Sequence, residues 1–213
     1  MCHFIAMTVE ELAAKVPPCG VFRTGQILSG EHSVANIRRQ LDRWVKRGRI
    51  SQLRRGVYVL AEPYAKTHVH PFTAANALRK ASYVSLHSAL AHYGMIPEYV
   101  PVTTSITTGR PEELDTPIGR FQFRHVSQRL FYGFTEAEIS QGRQVLLATP
   151  NKALVDLLYL TPRSDRIEYL HGLRLTRPEL FDLDALHETV ARSGSAKIER
   201  AVGLLIRLWE EEA

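Results

Sequence analysis

Asp182 and Asp184 in "FDLDAL" stand two residues apart, the spacing at which one face of a strand offers two carboxylates to magnesium for nucleotidyl transfer. That chemistry also needs a Gly-Ser turn upstream, whereas "GSA" at Gly194 to Ala196 lies downstream, in a stretch that reads as helix. The pair fits better as an N-cap and a first-turn acid, where carboxylates meet unpaired helix N–H groups. Glu112, Glu113 and Asp115 could begin a nuclease's acid cluster, but they fall in a turn-rich connection and no Glu-x-Lys follows. Nine histidines raise the question of a metal. His68 and His70 fall in a linker, and His87 and His92, five apart, diverge on a helix. Asp156 in "ALVDLLYL", apolar on both sides, reads as the polar edge of a helix or as a buried partner for an arginine. No catalytic residue, cofactor or metal is assigned, and the expectation is a protein that is not an enzyme.

Binding chemistry is better represented. "NIRRQLDRWVKRGRISQLRRGVYVL" from Asn36 carries Arg38, Arg39, Arg43, Lys46, Arg47, Arg49, Arg54 and Arg55 in its first twenty positions, with Asp42 the one acid. The whole chain has 213 residues, a formal charge of +5 and a pI near 9.4. Residues 23 to 56, which also include Arg23 and Glu31, hold a net +7, and the segments on either side are near neutral. A localised excess of guanidinium groups is the chemistry that grips a polyanion.

The elements that must position these groups follow from periodicity. "TVEELAAKV" opens a first helix with a Thr8–Glu11 capping box, and "PPCG" ends it. "VFRTGQILSG" reads as a brief second helix. Ser33 N-caps a third, in which Val34, Ile37, Leu41, Trp44 and Val45 form an apolar stripe and Gly48 is the stop. On a 100° wheel Asn36, Arg39, Arg43, Lys46 and Arg47 lie opposite that stripe, so one face is core and the other cationic. "RISQL" and "GVYVL" then form a hairpin around "RRG". Three helices and a hairpin make a winged helix-turn-helix. In that motif the N-terminal residues of the third helix reach base edges, which makes Ser33, Asn36, Arg39 and Arg43 base-contact candidates. Lys46, Arg47 and Arg49 at its far end suit phosphates, and Arg54 and Arg55 at the wing tip suit a minor groove or backbone, with Arg38 completing the DNA-binding set.

The expected fold class is α+β, an N-terminal winged helix-turn-helix over residues 1–62 followed by a mixed α/β domain over 71–213 with a helical end. "AEPYAKTHVHP" is the boundary. In the second domain "PFTAANALRKA" and "SLHSALAHYG" read as helices, "VPVTTSITT", "RFQFRHV" and "RQVLLATP" as strands, and Pro150 as the first residue of the helix "NKALVDLLYL". "DRIEYLHGL", "DLDALHETVARSG" and "SAKIERAVGLLIRLWEEE" complete the helical end. Two cysteines without CxxC spacing argue against a disulfide or zinc framework. No apolar run reaches the roughly 18 residues of a membrane span. A cytoplasmic location is expected, and the leading "MCHFIA" carries no structural signal.

These blocks in this order, "LRRGVYVL", "SLHSALAHYGMIPEYVPVTTSITTGR", "TPIGRFQFRHV" and "LATPNKALVDLLYL", resemble the AbiEi family of bacterial antitoxins from type IV toxin-antitoxin systems, over nearly the whole chain from Met7. The resemblance implies a winged-helix transcriptional repressor that binds inverted repeats in the promoter of its own operon. It also implies a C-terminal antitoxin domain opposing a nucleotidyltransferase-like toxin without a stable complex. Inverted repeats suggest two copies on DNA, although no heptad marks a free dimer. The alternatives are a C-terminal enzyme acting on nucleic acid or on the toxin, and a plain regulator without a toxin partner.

Overall fold

A computed structural model describes residues 7–27, 34–140, 143–178 and 181–211. The first helix, α1 (Val9–Lys15), begins as its sequence dictates. The Thr8 hydroxyl accepts from the Glu11 N–H at 3.2 Å, and the Glu11 carboxylate accepts from the Thr8 N–H at 2.7 Å. The segment expected as a second helix divides in two among the described residues: Val21–Arg23 is strand β1 and Thr24–Ile27 is helix α2, while residues 28–30 lie outside the described residues. The strand forms because Val21 to Arg23 pairs antiparallel with residues 57–59, a partner invisible to local periodicity.

Helix α3 (Val34–Lys46) follows, with Ile37, Leu41 and Trp44 buried. Val34, expected in the same stripe, is 45% exposed. Gly48 ends the helix at φ +66°, a left-handed conformation that glycine adopts without Cβ strain. Strands β2 (Ile50–Arg54) and β3 (Val57–Leu60) form the hairpin and complete a three-stranded sheet in the order β1-β3-β2. Both of its faces are covered. Phe22, Ile50, Tyr58 and Leu60 pack with Val9, Leu12, Ile37, Leu41 and Trp44 in the N-terminal core. Val21, Leu53, Val57 and Val59 belong to the core of the C-terminal region instead. The winged helix is therefore packed on its neighbour rather than tethered to it.

Beyond the proline-containing connection come α4 (Pro71–Leu78), β4 (Ser82–Val84), α5 (Leu86–His92), β5 (Val102–Thr107), β6 (Glu112–Thr116), β7 (Gly119–His125), β8 (Phe134–Ser140) and β9 (Arg143–Ala148). Four helices end the chain: α6 (Pro150–Leu160), α7 (Ile167–Leu173), α8 (Leu183–Ser193) and α9 (Ala196–Glu211). The strands form one mixed sheet in the order β6-β7-β5-β4-β9-β8. Three of them, β4, β6 and β8, were not expected. "GRPEELDTPIG", read as a turn-rich connection, contains edge strand β6, whose Glu113 and Asp115 face Gln122 and Arg120 across the pair at 2.7 Å each. Charged edge strands lack the β-branched signature because their side chains must repel further strands rather than build core. The architecture is α+β, a winged-helix region followed by a mixed sheet and a helical end.

Candidate nucleic-acid interface

Helix α3 is held from behind. Its buried stripe locks into the N-terminal core, the Gln40 amide donates to the Met7 carbonyl, and the Arg49 N–H donates to the Trp44 carbonyl at 2.9 Å. With the back fixed, Arg38, Arg39, Arg43, Lys46 and Arg47 stand exposed. Among the described residues none of these five forms an ion pair, and the guanidinium of Arg39 donates to the Asn36 side-chain carbonyl at 2.9 Å. A carboxylate partner would offset a cation's attraction for phosphate. Asn36 and Arg49 are half-buried, and Ser33 lies outside the described residues.

The wing divides its two arginines. Arg55 is exposed at the tip, beside Gly56. Arg54, expected beside it, faces the C-terminal domain: its guanidinium donates to the Leu78 carbonyl at 3.0 Å and to the two Glu112 oxygens at 3.3 and 3.4 Å. The cause is a bulge. Gln52 opposes Tyr58, but Arg54 opposes Val57, so Leu53 is an extra residue in β2. That one-residue shift turns Arg54 to the face of Val57, which packs in the C-terminal core, rather than to the face of Tyr58. Arg23 is diverted likewise, its guanidinium donating to the Ala77 carbonyl. Two of the nine basic residues in the charged segment thus serve the contact with the C-terminal domain.

The catalytic candidates resolve into structural roles. The Asp182 carboxylate caps α8, accepting from the Ala185 N–H at 2.9 Å, and Asp184 is exposed in the first turn. Glu112, Glu113 and Asp115 are engaged by Arg54 and Arg79, by Gln122 and by Arg120 respectively. His87 and His92 share α5, the His70 ring accepts from the Phe72 N–H at 3.2 Å, and no group of three metal-ligating side chains occurs among the described residues.

Asp156 is buried, and its partner is Lys152 one helical turn earlier, at 2.5 Å, rather than an arginine. Its other oxygen accepts from the Ser85 hydroxyl at 2.8 Å and the Tyr83 hydroxyl at 3.0 Å. The Lys152 ammonium also donates to the Leu130 carbonyl at 2.8 Å and sits 4.5 Å from the centre of the Tyr132 ring. Burial pushes the Asp156 carboxyl above its ordinary value, against the opposing pull of Lys152, and burial beside Asp156 drives the Tyr83 phenol upward. The KALVD spacing placed this pair on one face of α6, and that i, i+4 relation was the signal available for finding it.

Residues 7–61, about a quarter of the chain, match the family model described as transcriptional regulator, AbiEi antitoxin. The matched span runs from the Met7 contact with α3 to the end of the wing. No curated protein matches the chain. No helix among the described residues is long and apolar enough to cross a membrane. A capped first helix, a cation-faced third helix and a wing all lie inside the matched span, so the resemblance to the AbiEi antitoxin family of transcriptional regulators is supported over residues 7–61.

Proposed function

We propose that the chain is a DNA-binding repressor of its own operon and the antitoxin of a nucleotidyltransferase-type toxin. The observation that carries the DNA half is the row Arg39, Arg43, Lys46 and Arg47, exposed and without ion pairs among the described residues on a helix whose opposite face is core. A helix of 13 residues, about 20 Å long, fits a major groove about 12 Å wide. Asn36 and Arg39 lie in its N-terminal half, Arg43 follows Arg39 one turn later on the same face, and these three take base edges, with Ser33 just before the helix. Arg38, Lys46, Arg47 and Arg49 take phosphates, and Arg55 at the wing tip takes the flanking backbone or minor groove. In this proposal the DNA-binding domain is 1–62 and the antitoxin domain 71–213.

A gel-shift with the region upstream of its own operon tests this reading. Wild type binds, and Arg39→Ala/Arg43→Ala binds at least tenfold more weakly, because two guanidinium contacts to bases are each worth about 1–3 kcal/mol. Equal binding by both proteins removes α3 from the interface. The antitoxin half rests on the similarity of residues 7–61 to the AbiEi antitoxin family and is tested by co-expression with the neighbouring gene. Rescue of growth supports it, and a neighbour without toxicity leaves a plain regulator.

A further inference from the structure

The contact between wing and C-terminal sheet is built around one carboxylate. Glu112, the first residue of β6, receives Arg54 from the wing at 3.3 Å and Arg79, just after α4, at 2.7 Å. All three side chains are more than half buried. Arg79 is fixed further by its position over the Phe123 ring, 5.8 Å from guanidinium carbon to centroid, and against Gly109, where a Cβ would fall 2.4 Å from its guanidinium. Of the two arginines, Arg54 belongs to the wing, next to Arg55, which is exposed at the tip.

We propose that Glu112 is a positioning residue for DNA binding: it withdraws Arg54 from the DNA-facing set and clamps the wing to the edge of the six-stranded sheet, so that Arg55 alone presents the tip. This rests on the DNA-binding reading above. The clamp has two consequences. Arg54 contributes no phosphate contact while Glu112 is charged, and wing orientation depends on a side chain about 50 residues outside the matched module. Removing the carboxylate leaves Arg54 held by the neutral Leu78 carbonyl without an opposite charge, so its guanidinium becomes available to phosphate as the wing loosens.

The experiment measures affinity for operator and for scrambled duplex over a series of salt concentrations, with full-length variants. Each phosphate neutralised contributes about 0.9 to the slope of log K against log salt. Arg55→Ala lowers the slope by about 0.9, whereas Arg54→Ala leaves it unchanged. Glu112→Gln steepens it by about 0.9 and reduces the preference for operator over scrambled DNA several-fold. Arg54→Ala/Glu112→Gln returns the slope to the wild-type value, since no guanidinium remains to be freed. A fall of about 0.9 in Arg54→Ala overturns the proposal even if Glu112→Gln does not fold, and so does an unchanged slope and preference in a folded Glu112→Gln. Failure of the DNA-binding reading has a different signature, in which wild type and Arg39→Ala/Arg43→Ala bind alike.

Discussion

Replacing one member of the Lys152–Asp156 pair leaves the other in the core without an opposite charge, and in Lys152→Met the cost depends on pH. The pair is 1% and 2% exposed, so little solvent screening weakens it. In Asp156→Asn the shape is kept but the negative charge opposite the Lys152 ammonium is lost, leaving it the neutral amide, the Leu130 carbonyl and the Tyr132 and Tyr83 rings. Breaking a buried pair this way costs about 3–5 kcal/mol, a large part of a typical total of about 5–15 kcal/mol. In Lys152→Met the stranded acid, already pushed upward by burial, takes a proton. The folded state then holds the extra proton, and stability falls by about 1.4 kcal/mol per pH unit above the unfolded carboxyl value until the raised folded value is passed. Urea unfolding of wild type, both singles and Lys152→Met/Asp156→Leu at pH 5, 7 and 9 reads all of this. The double variant recovers part of the loss, less what the unpaired Tyr83 and Ser85 hydroxyls cost. Losses under 1 kcal/mol with parallel pH profiles in both singles would refute the reasoning.

Three further outcomes follow from particular contacts. Gly133→Ala costs about 2 kcal/mol or more in urea unfolding, because φ is +72° and the new methyl group meets the Lys152 Cβ and Cγ at 3.0 Å, on a side chain that burial prevents from moving. Asp182→Ala costs about 1 kcal/mol as a lost N-cap; if the chain is the antitoxin proposed above, Asp182→Ala/Asp184→Ala still rescues growth in co-expression with the neighbouring gene, and loss of rescue by a folded double variant would restore a catalytic reading. Burial holds His87 below its ordinary pKa, with Glu98 opposing, so the unfolded chain takes up its proton first and stability is lost as pH falls below about 6.5. His87→Gln shows a smaller stability difference between pH 8 and pH 5.5 than wild type, measured by thermal melts; an identical difference removes His87 as a cause.

What the sequence made legible was the structure set by local period and local caps. Thr8 and Glu11 specify the start of α1, Ile37, Leu41 and Trp44 the inner face of α3, and Pro150 the first turn of α6, where Thr149 accepts from the Lys152 N–H. Pairing partners distant in sequence were not legible. Val21 to Arg23 becomes a strand only because β3 lies beside it, and the three residues of β4 are too few to show a period of two between two helices. Arg54 illustrates the same limit at the site. Its neighbours in "LRRG" place it at a tip, and a bulge at Leu53 turns it away toward a carboxylate 58 positions later. The exposed cations of α3 could be placed because an amphipathic helix sorts its own faces, whereas which cations the rest of the protein has already neutralised is a tertiary fact.

If α3 contacts phosphates and bases, the salt dependence of operator binding shows it most directly. Neutralisation of five to eight phosphates gives wild type a slope of about −4.5 to −7 in log K against log salt, Lys46→Ala/Arg47→Ala reduces its magnitude by about 1.8, and Arg39→Ala/Arg43→Ala loses operator preference. A wild-type slope near zero, or unchanged slope in the first variant together with unchanged preference in the second, would contradict that role for α3.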